Sequence, residues 1–298
     1  MLSGHLSVLR EIWNSPGNAS NRPLAVLRAL RWFLACHRKR RPGQRPVRFR
    51  AFGNRVFPCY TDSIIAKHVM YRSEWFDHDL LHFMHDYLRP DDHYLDVGAN
   101  TGLHVLLAST RITTGRITCV EADPANVNRL RQTLEWNHIN NATVLPVAAS
   151  DADGKTTLEG SDVFTRMSPG SDADSEGPVV ETVLLDTALG PEARIDFCKI
   201  DVEGAEWQVL RGMTGLMERE ALPVVAFEFN GRFAEYGHSG EDFLGWLKLR
   251  GYSVATYDHD RRTLHFGDDF PAETVDLFAL TPRGRALVGE RLLEVRQV

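Results

Sequence analysis

Short runs of apolar residues alternate with stretches of helical periodicity from residue 92 onward. The apolar runs predict strands at 93–97, 116–121, 142–148, 196–202, 222–229, 252–258 and 274–281, and the periodic stretches predict helices at 100–110, 124–138, 205–217 and 241–250. Apolar strands that alternate with helices are typical of βαβ units, whose parallel sheet is covered by helices on both faces. The pattern therefore predicts an α/β fold with a doubly wound sheet.

A further amphipathic helix is predicted at 23–37, with Pro23 in its first turn. One face carries the apolar residues Val26, Leu27, Leu30, Phe33 and Leu34, and the other carries Arg28, Arg31 and Arg38. We expect the apolar face to pack against the rest of the protein, since this is the usual role of such helices. The alternative is an interfacial helix that is drawn to anionic lipid or glycan.

The stretch 75–88 predicts a helix with a buried apolar face, formed by Leu80, Leu81, Met84 and Leu88. His78, His82 and His85 recur at helical spacing, and His78 and His82 could bind zinc. The H-E-x-x-H pattern is missing, however, and solvated or core histidines are the expectation. The residues 75–77 precede this helix. They either close over a ligand or cap the helix.

Composition supports a globular protein, with 298 residues, 43% hydrophobic and 25% charged. The net charge is −6, which argues against a nucleic-acid partner. Residues 1–50 hold eleven basic side chains and one acidic one, a net charge of +10 that leaves −16 in residues 51–298. Contact of residues 22–50 with an anionic surface is therefore a possibility to test.

Three regions are expected: a basic extension with an amphipathic helix at 1–50, strands and a helix that cap the core at 51–90, and the main domain at 91–298. The four cysteines, Cys36, Cys59, Cys119 and Cys198, show no close pairing and predict free thiols. No apolar run approaches a bilayer-spanning length and no signal peptide is visible, so a cytoplasmic location is expected, with peripheral attachment to a membrane as the alternative.

A glycine-containing turn, D-V-G-A-N-T-G at 96–102, follows the first strand of the main domain. Ligands of open α/β sheets bind at such strand ends. The dinucleotide pattern G-x-G-x-x-G fails here, because Asn100 and Leu103 stand where its second and third glycines belong. Glu121 ends the second strand, where it can accept hydrogen bonds from ribose hydroxyls. The set favours S-adenosylmethionine; an NAD(P)-dependent oxidoreductase and a non-catalytic binding module remain alternatives.

These motifs resemble the FkbM family of S-adenosylmethionine-dependent methyltransferases. The matching stretches are Y-L-D-V-G-A-N-T-G at 94–102, V-E-A-D-P at 120–124, V-A-A-S-D-A-D-G at 147–154, L-L-D-T-A-L at 184–189, K-I-D-V-E-G-A-E at 199–206 and F-E-F-N at 227–230. The resemblance implies a class I methyltransferase fold, with a seven-stranded sheet whose last strand is antiparallel. It also implies O-methylation, typically of a hydroxyl on a sugar, glycan, secondary metabolite or other small molecule.

The resemblance also implies cofactor-binding residues. Asp96, Gly98, Asn100 and Gly102 match the motif at the methionine end, Glu121 matches the ribose acid with Asp123 close behind, and Ser150 and Asp151 fall where the third strand meets adenine.

The candidate catalytic residues are acids at the ends of the fourth and fifth strands. Methyl transfer is an in-line displacement that needs alignment of the acceptor and a place for its proton. Asp201 is the first candidate for this role and Glu228 the second. For Asp201 and Glu206 the alternative is helix capping and dipole compensation at the turn 202–205, and Glu203 is expected to serve the start of the helix.

Several alternatives stay open for this site. Asp201, Glu228 and Asn230 could bind Mg²⁺, which is not favoured over a metal-free site. His104 and His238 are further candidate bases. The acidic stretch 160–178 is expected to be a solvated loop, with a lid over the substrate as the alternative. The Asp/Asn-Pro-Pro-Tyr motif is absent after the fourth strand, which disfavours methylation of amino groups.

Overall fold

The computed structural model describes residues 2–37, 46–160, 165–168, 177–271 and 276–296. Its strands are β1 (Val47–Ala51), β2 (Arg55–Cys59), β3 (His93–Val97), β4 (Arg116–Val120), β5 (Ala142–Leu145), β6 (Ala148–Ala149), β7 (Gly154–Glu159), β8 (Arg166–Met167), β9 (Val179–Val183), β10 (Phe197–Ile200), β11 (Val224–Glu228), β12 (Ser253–Asp258), β13 (Thr263–Gly267) and β14 (Asp276–Leu280).

The helices are α1 (Leu2–Asn14), α2 (Arg22–His37), α3 (Ile64–Arg72), α4 (His78–Tyr87), α5 (Leu103–Arg111), α6 (Pro124–Trp136), α7 (Leu185–Leu189), α8 (Glu206–Arg211), α9 (Thr214–Glu218), α10 (Gly240–Leu249) and α11 (Pro282–Arg296). Short 3-10 helices occur at Pro16–Asn18 and Arg232–Tyr236.

The main sheet confirms the predicted doubly wound α/β fold. Its order is β13-β12-β14-β11-β10-β3-β4-β5. The strands β5, β4, β3, β10 and β11 are parallel, while β14 pairs antiparallel with both β11 and β12. The chain goes from β3 to β4 on one side and later returns to β10 on the other. This reversal places a crevice at the carboxyl ends of β3 and β10, where ligands of such sheets bind.

The sheet has eight strands, one more than the expected seven. The additional strand is β13, an edge strand that pairs antiparallel with β12. The connection between them, 259–262, lacks the Asn-Gly or Asp-Gly signature of a tight hairpin, so the sequence carries no clear signal for this strand. A separate four-stranded sheet, in the order β6-β9-β7-β8, was also not predicted, and it includes the end of the expected strand 142–148.

Two apolar clusters cover the two faces of the main sheet. Neighbouring residues of one strand alternate between them, as the period of a strand requires. Tyr94 and Phe197 pack with α4, α5 and α11 on one face, whereas Leu95 and Cys198 pack with α8, α9 and α10 on the other. Cys59, Cys119 and Cys198 are buried free thiols, and Cys36 is an exposed one. The central strands are therefore shielded from water on both faces.

The expected helix 205–217 is interrupted at Gly212, which separates α8 from α9. A Cβ atom at Gly212 would lie 2.0 Å from the carbonyl oxygen of Ser150. The interruption thus allows close approach of the chain that follows β6.

The N-terminal segment forms a helical hairpin that packs on α3. Asn18 links the parts, since its Nδ2 donates to the carbonyl oxygens of Ile12 and Tyr71 at 2.8 and 2.7 Å. Arg28 adds a 2.7 Å hydrogen bond from Nε to the carbonyl oxygen of Met70. The expected boundary at residue 50 falls inside β1, and Trp32 belongs to the same cluster as α4 and α5.

The expectation for the faces of α2 was wrong. Its buried residues are Ala25, Ala29, Trp32 and Ala35, while Leu27, Leu30, Phe33 and Leu34 are exposed. Small alanines allow α2 to approach α3 closely, and Trp32 fills the remaining space, so the leucine-rich face remains outside. The basic residues 38–45 lie outside the described residues.

None of the described helices combines the length and the apolar character needed to cross a membrane.

Candidate functional site

A cavity of about 330 Å³ opens at the carboxyl ends of β3, β4, β10 and β11. Its wall on one side is the turn after β3, and on the other side the first residues of α3 and the pair Phe76 and Asp77. The lining also includes Glu121, Asp123, Lys199, Asp201, Glu203 and Glu228. The cavity thus lies in the crevice that the strand order creates.

The turn after β3 is held by residues with positive φ. Gly98 has φ +78°, Asn100 +48° and Gly102 +87°. A Cβ atom on Gly98 would lie 1.8 Å from the carbonyl oxygen of Asp201, and one on Gly102 would lie 2.6 Å from Cδ1 of Leu130. Glycine at both positions therefore allows β10 and α6 to approach the turn.

Glu121 closes the side of the cavity beyond β4. Its Oε2 accepts a 2.7 Å hydrogen bond from the backbone N–H of Asn100, and its Oε1 accepts one of 2.8 Å from that of Asp123. Burial raises the pKa of Glu121 to about 7, although these two hydrogen bonds act to lower it. Each carboxylate oxygen retains a second lone pair that can accept from a ligand hydroxyl. Asp123 caps α6 by accepting from Ala125 N at 2.7 Å.

Lys199 is a buried cation between two acids. Its Nζ lies 3.2 Å from Oδ2 of Asp201 and 3.5 Å from Oδ1 of Asp96, and it donates to the carbonyl oxygen of Gly98 at 3.2 Å. Burial alone would lower the pKa of Lys199, but the charges of Asp201 and Asp96 raise it well above the ordinary value. The sequence argument did not single out this residue, although a lysine within an apolar strand needs partners and is a recognisable signal.

Three carboxylates meet at the opposite end of the cavity from Glu121. Oxygen atoms of Asp201, Glu203 and Glu228 lie within 4.8 Å of one another, which makes them the single group of potential metal ligands in the described part of the chain. Burial, followed by the charges of Asp201 and Glu203, raises the pKa of Glu228 to about 9. Glu228 is therefore protonated at neutral pH, whereas Asp201 contacts a cation.

Two of these three carboxylates already have cationic neighbours. Lys199 pairs with Asp201, and Arg232 NH1 lies 2.7 Å from Oε2 of Glu203. The amide of Asn230 donates to Oε2 of Glu228 at 2.8 Å and its oxygen accepts from the N–H of Arg232. The Asn230 amide, an alternative magnesium ligand in the sequence analysis, thus contacts Glu228.

The two glutamates after Asp201 have different roles. Glu206 closes the turn, since its Oε1 accepts from the N–H groups of Val202 and Gly204 at 3.0 and 3.2 Å. Glu203 was expected to serve the helix start as well, but it lines the cavity. Its φ of +59° turns the chain there, which periodicity cannot reveal.

Asp77 faces the cavity and does not cap α4. It makes no capping hydrogen bond, and its Oδ2 lies 3.0 Å from Nε2 of His104. Although burial would raise the pKa of Asp77, the hydrogen bond from His104 lowers it. Asp276 shares a hydrogen bond with Asp77, and burial raises the pKa of Asp276 well above its ordinary value. The interpretation of 75–77 as a segment that closes over a ligand agrees with this position.

Four of the expected cofactor residues do not line the cavity. Asp96 lies behind the cavity, in the ion pair with Lys199, and Gly102 lies in the turn after β3, next to Leu130. Near the position expected for Ser150 and Asp151, the lining is formed by Val147, Ala148 and Ala149. Ser150 donates its N–H to Val183 O, and Asp151 lies 3.2 Å from NH2 of Arg211.

The described part of the acidic stretch reaches the cavity mouth. Thr165, Arg166 and Met167 line the cavity, Arg166 pairs with Glu235, and Tyr236 donates its hydroxyl to Met167 O at 2.8 Å. Residues 161–164 and 169–176 of the expected loop lie outside the described residues.

The other candidate histidines lie away from this cavity. His78 and His82 stack in parallel with His259, at centroid distances of 5.5 and 5.1 Å, and His85 contacts Asp86. His238 packs against Trp207, with ring centroids 4.4 Å apart. Among the described residues these rings form no group of converging metal ligands.

Comparison with known proteins assigns the chain to a family. The sequence profile of the "Methyltransferase FkbM domain" matches residues 96–254, which include the turn after β3, Glu121 and the three clustered carboxylates. The chain belongs to the FkbM methyltransferase family. This assignment argues against the nicotinamide-dependent alternative, as the unmatched glycine pattern does.

One curated relative is "Hexuronic acid methyltransferase AglP" of Haloferax volcanii, 26% identical over 154 residues. The match covers 50% of this chain and 61% of the relative, so the chain spans less than two thirds of the relative's length.

Solved methyltransferase structures are similar at low identity. A precorrin-6y C5,15-methyltransferase from Geobacter metallireducens is 13% identical with a TM-score of 0.41, over 69% of this chain and 88% of that one. A putative methyltransferase from Streptococcus mutans in complex with SAH is 11% identical with a TM-score of 0.41, over 67% of this chain and 94% of that one.

The residues around the cavity fit the cofactor that this family uses. Glu121 lines the cavity with oxygens that can accept hydrogen bonds from hydroxyls, and behind the turn after β3 both carboxylate oxygens of Asp96 are buried without a hydrogen-bond partner. The family to which the chain belongs is one of methyltransferases.

Proposed function

We propose that the chain is an O-methyltransferase that methylates a hydroxyl of a sugar or glycan. The observation that carries this proposal is that one cavity is lined both by Glu121, whose oxygens can accept from hydroxyls, and by the clustered carboxylates of Asp201, Glu203 and Glu228. S-adenosylmethionine supplies the methyl group of a sulfonium, whose leaving group is neutral. The chain itself must align the acceptor and take up one proton.

Alignment is the larger contribution. Holding an acceptor oxygen on the line of displacement can lower the barrier by roughly 7–11 kcal/mol. Asp201, Glu203 and Glu228 stand on two neighbouring strands and a short turn, and Asn230 and Arg232 orient two of them. A polyhydroxylated acceptor can donate hydrogen bonds to such a group, which favours a sugar.

Asp201 is the proposed acceptor of the hydroxyl proton. In methyl transfer from bound S-adenosylmethionine, the Asp201 carboxylate would take up the proton that the acceptor hydroxyl loses. Lys199 lies 3.2 Å from Oδ2 of Asp201 and holds this oxygen in place. Glu228, protonated at neutral pH, donates a hydrogen bond to the acceptor in this proposal.

The name of the relative suggests where to search for the acceptor. AglP is a hexuronic acid methyltransferase. We therefore propose glycans that contain hexuronic acid as the first acceptors to test, with neutral hexose glycans beside them.

The test is methyl transfer from labelled S-adenosylmethionine to such glycans, followed by mass spectrometry. We expect the wild type to add one methyl group and Asp201→Asn to lose about 10²–10⁴-fold in kcat, the usual contribution of a base, while it still binds the cofactor. Asp268→Asn is the matched control, since this exposed aspartate pairs with Lys248 far from the cavity.

Three outcomes would contradict the proposal. Full activity of Asp201→Asn would exclude its role as base. Methyl transfer to nitrogen rather than oxygen would exclude O-methylation. Cofactor binding without transfer to any hydroxylated acceptor would favour a non-catalytic module.

A further inference from the structure

The N-terminal hairpin of α1 and α2 exposes an unusual amount of apolar surface. Seven of the eleven large apolar side chains that are exposed among the described residues lie on these two helices: Leu9, Trp13, Leu24, Leu27, Leu30, Phe33 and Leu34. Leu27, Leu30 and Leu34 are 62%, 50% and 58% exposed. Their spacing of three and four residues places them on one face of α2. A contiguous apolar surface of this kind marks an interaction site.

The exposed face is not a consequence of loose packing. The opposite face of α2 is buried, with Ala25 at 2% and Trp32 at 3% exposure. Arg28 fixes the helix to α3 through Met70 O, and to the hairpin through a 2.6 Å hydrogen bond to Oδ1 of Asn18. The hairpin is therefore docked firmly, and its leucine-rich face points away from the domain.

Positive charges predominate on this hairpin, whose exposed acid Glu11 is paired with Arg72 of α3. Arg10, Arg22 and Arg31 are exposed on the same hairpin, and the sequence continues into the basic stretch 38–45. Residues 1–50 carry +10, whereas residues 51–298 carry −16. A second copy of the chain would bring a second positive hairpin to the same face, which like-charge repulsion disfavours.

We propose that the hairpin of α1 and α2 docks the protein on an anionic lipid bilayer. Leucines and Trp13 would enter the boundary between headgroups and acyl chains, where amphipathic helices with arginine on their polar side bind. Each arginine near an anionic surface adds attraction that falls off within a Debye length. Arg22 already lies over the ring of Trp13 and donates to its carbonyl oxygen at 3.0 Å, so a cation and an interfacial aromatic ring are paired.

This inference does not depend on the proposed acceptor. The face lies on α2, whose residues are not among those that line the cavity; α3, on which α2 packs, contributes Ile64, Ile65 and His68 to the lining. Variants of the face can therefore be compared for lipid binding and for catalysis separately.

The test is co-sedimentation of the full chain with vesicles of phosphatidylcholine alone and of phosphatidylcholine mixed with phosphatidylglycerol. We expect binding to the anionic vesicles, a decrease as salt is raised, and little binding to the neutral ones. The double variant L27E/L34E should lower the partition coefficient about tenfold or more, because both leucines lose their apolar insertion. Leu249→Glu is the matched control, since Leu249 is 87% exposed on α10.

Sedimentation velocity without lipid completes the experiment. The proposal is overturned if the wild type fails to bind anionic vesicles, if L27E/L34E binds them as well as the control, or if neutral vesicles bind equally. If the wild type does not bind vesicles but forms a dimer, and L27E/L34E is a monomer, the face is an interface between copies of the chain. Methyl transfer to a glycan in solution is expected to be unchanged in both variants.

Discussion

Lys199 illustrates how one side chain can hold a site together. Its ammonium joins the end of β3, through Asp96, to the end of β10, through Asp201. Removal of one partner from a buried ion pair leaves an uncompensated charge, which is more costly than the pair is stabilising. The fully buried carboxylate of Asp96 would be left in this state.

Lys199→Met is therefore expected to reduce the free energy of unfolding by about 3–5 kcal/mol, measured by chemical denaturation. Lys248→Met is the control, because its pair with Asp268 is exposed and its loss should change stability by about 0.5 kcal/mol or less. Equal effects of the two substitutions would show that Lys199 has no such role.

Comparison of Gly98 with Gly53 separates two reasons for a glycine: close approach of a neighbouring strand and a positive φ. Both have φ +78°, but a Cβ atom on Gly98 would meet Asp201 O at 1.8 Å, whereas one on Gly53 would meet nothing within 4 Å. Gly53→Ala should cost only the conformational strain of about 1–2 kcal/mol and leave cofactor affinity unchanged. Gly98→Ala should displace the turn and weaken S-adenosylmethionine binding by about tenfold or more, measured by calorimetry. Equal cofactor affinities in the two variants would contradict this account of the turn.

The protonation states of the two candidate bases predict different pH profiles. With a pKa of about 9, Glu228 is ionised in roughly 1% of molecules at pH 7, so catalysis by Glu228 would increase about tenfold per pH unit up to pH 9. If Asp201 is the base, kcat/KM has no rise of this kind and Glu228→Gln, which mimics the protonated acid, retains activity within about tenfold. A rise that disappears in Glu228→Gln would transfer the role to Glu228.

The sequence identified the polar residues at the strand ends better than their partners. Asp201, Glu228 and Glu121 could be predicted because each directly follows or ends an apolar run, and the structure brings all three to one cavity. The pairing of Asp77 with His104 could not be predicted, since it depends on how the helix α4 packs across the sheet. The function of Glu203 depends on a positive φ that leaves no pattern in the sequence.

At the scale of single elements, α2 shows the limits of an amphipathic pattern. The helix is apolar on both faces, so hydrophobicity alone could not show which face packs inward. Small residues and one tryptophan decide it, because they match the surface of α3.

Trp32→Ala should destabilise the protein by about 3–5 kcal/mol through the cavity it leaves, whereas Leu27→Ala on the exposed face should change stability by about 0.5 kcal/mol or less. Thermal or chemical unfolding of the full chain measures both. A larger effect at Leu27 would show that the leucine-rich face is the buried one.

Elements with strong periodicity were predicted closely, while short strands of the smaller sheet were not. The helix expected at 124–138 is α6 at Pro124–Trp136, and the strand expected at 116–121 is β4 at Arg116–Val120. The strands β6 and β8 have two residues each, which is too short for any period to be visible. Their position depends on hydrogen bonds to β9 and β7.

For the whole molecule, the alternation of strands and helices was enough to predict the sheet and its crevice. The strand order reverses between the neighbouring strands β3 and β10. The cavity lies at the carboxyl ends of these two strands. The number of strands was underestimated because an edge strand such as β13 packs on one neighbour only. The sequence alone shows the excess of positive charge in residues 1–50. The structure adds that the hairpin of α1 and α2 exposes its leucines, and the two features together led to the proposed contact with an anionic bilayer.

The central claim is that the cavity between Glu121 and the acids of β10 and β11 binds S-adenosylmethionine. Calorimetric titration of the full chain tests it most directly, with Glu121→Gln beside Glu135→Gln, an exposed glutamate of α6. We expect wild type and Glu135→Gln to bind one equivalent equally well. Glu121→Gln should bind about tenfold or more weakly, because the amide cannot accept both backbone hydrogen bonds and the ligand hydroxyls. Absence of binding by the wild type, or equal affinity of Glu121→Gln, would contradict the account.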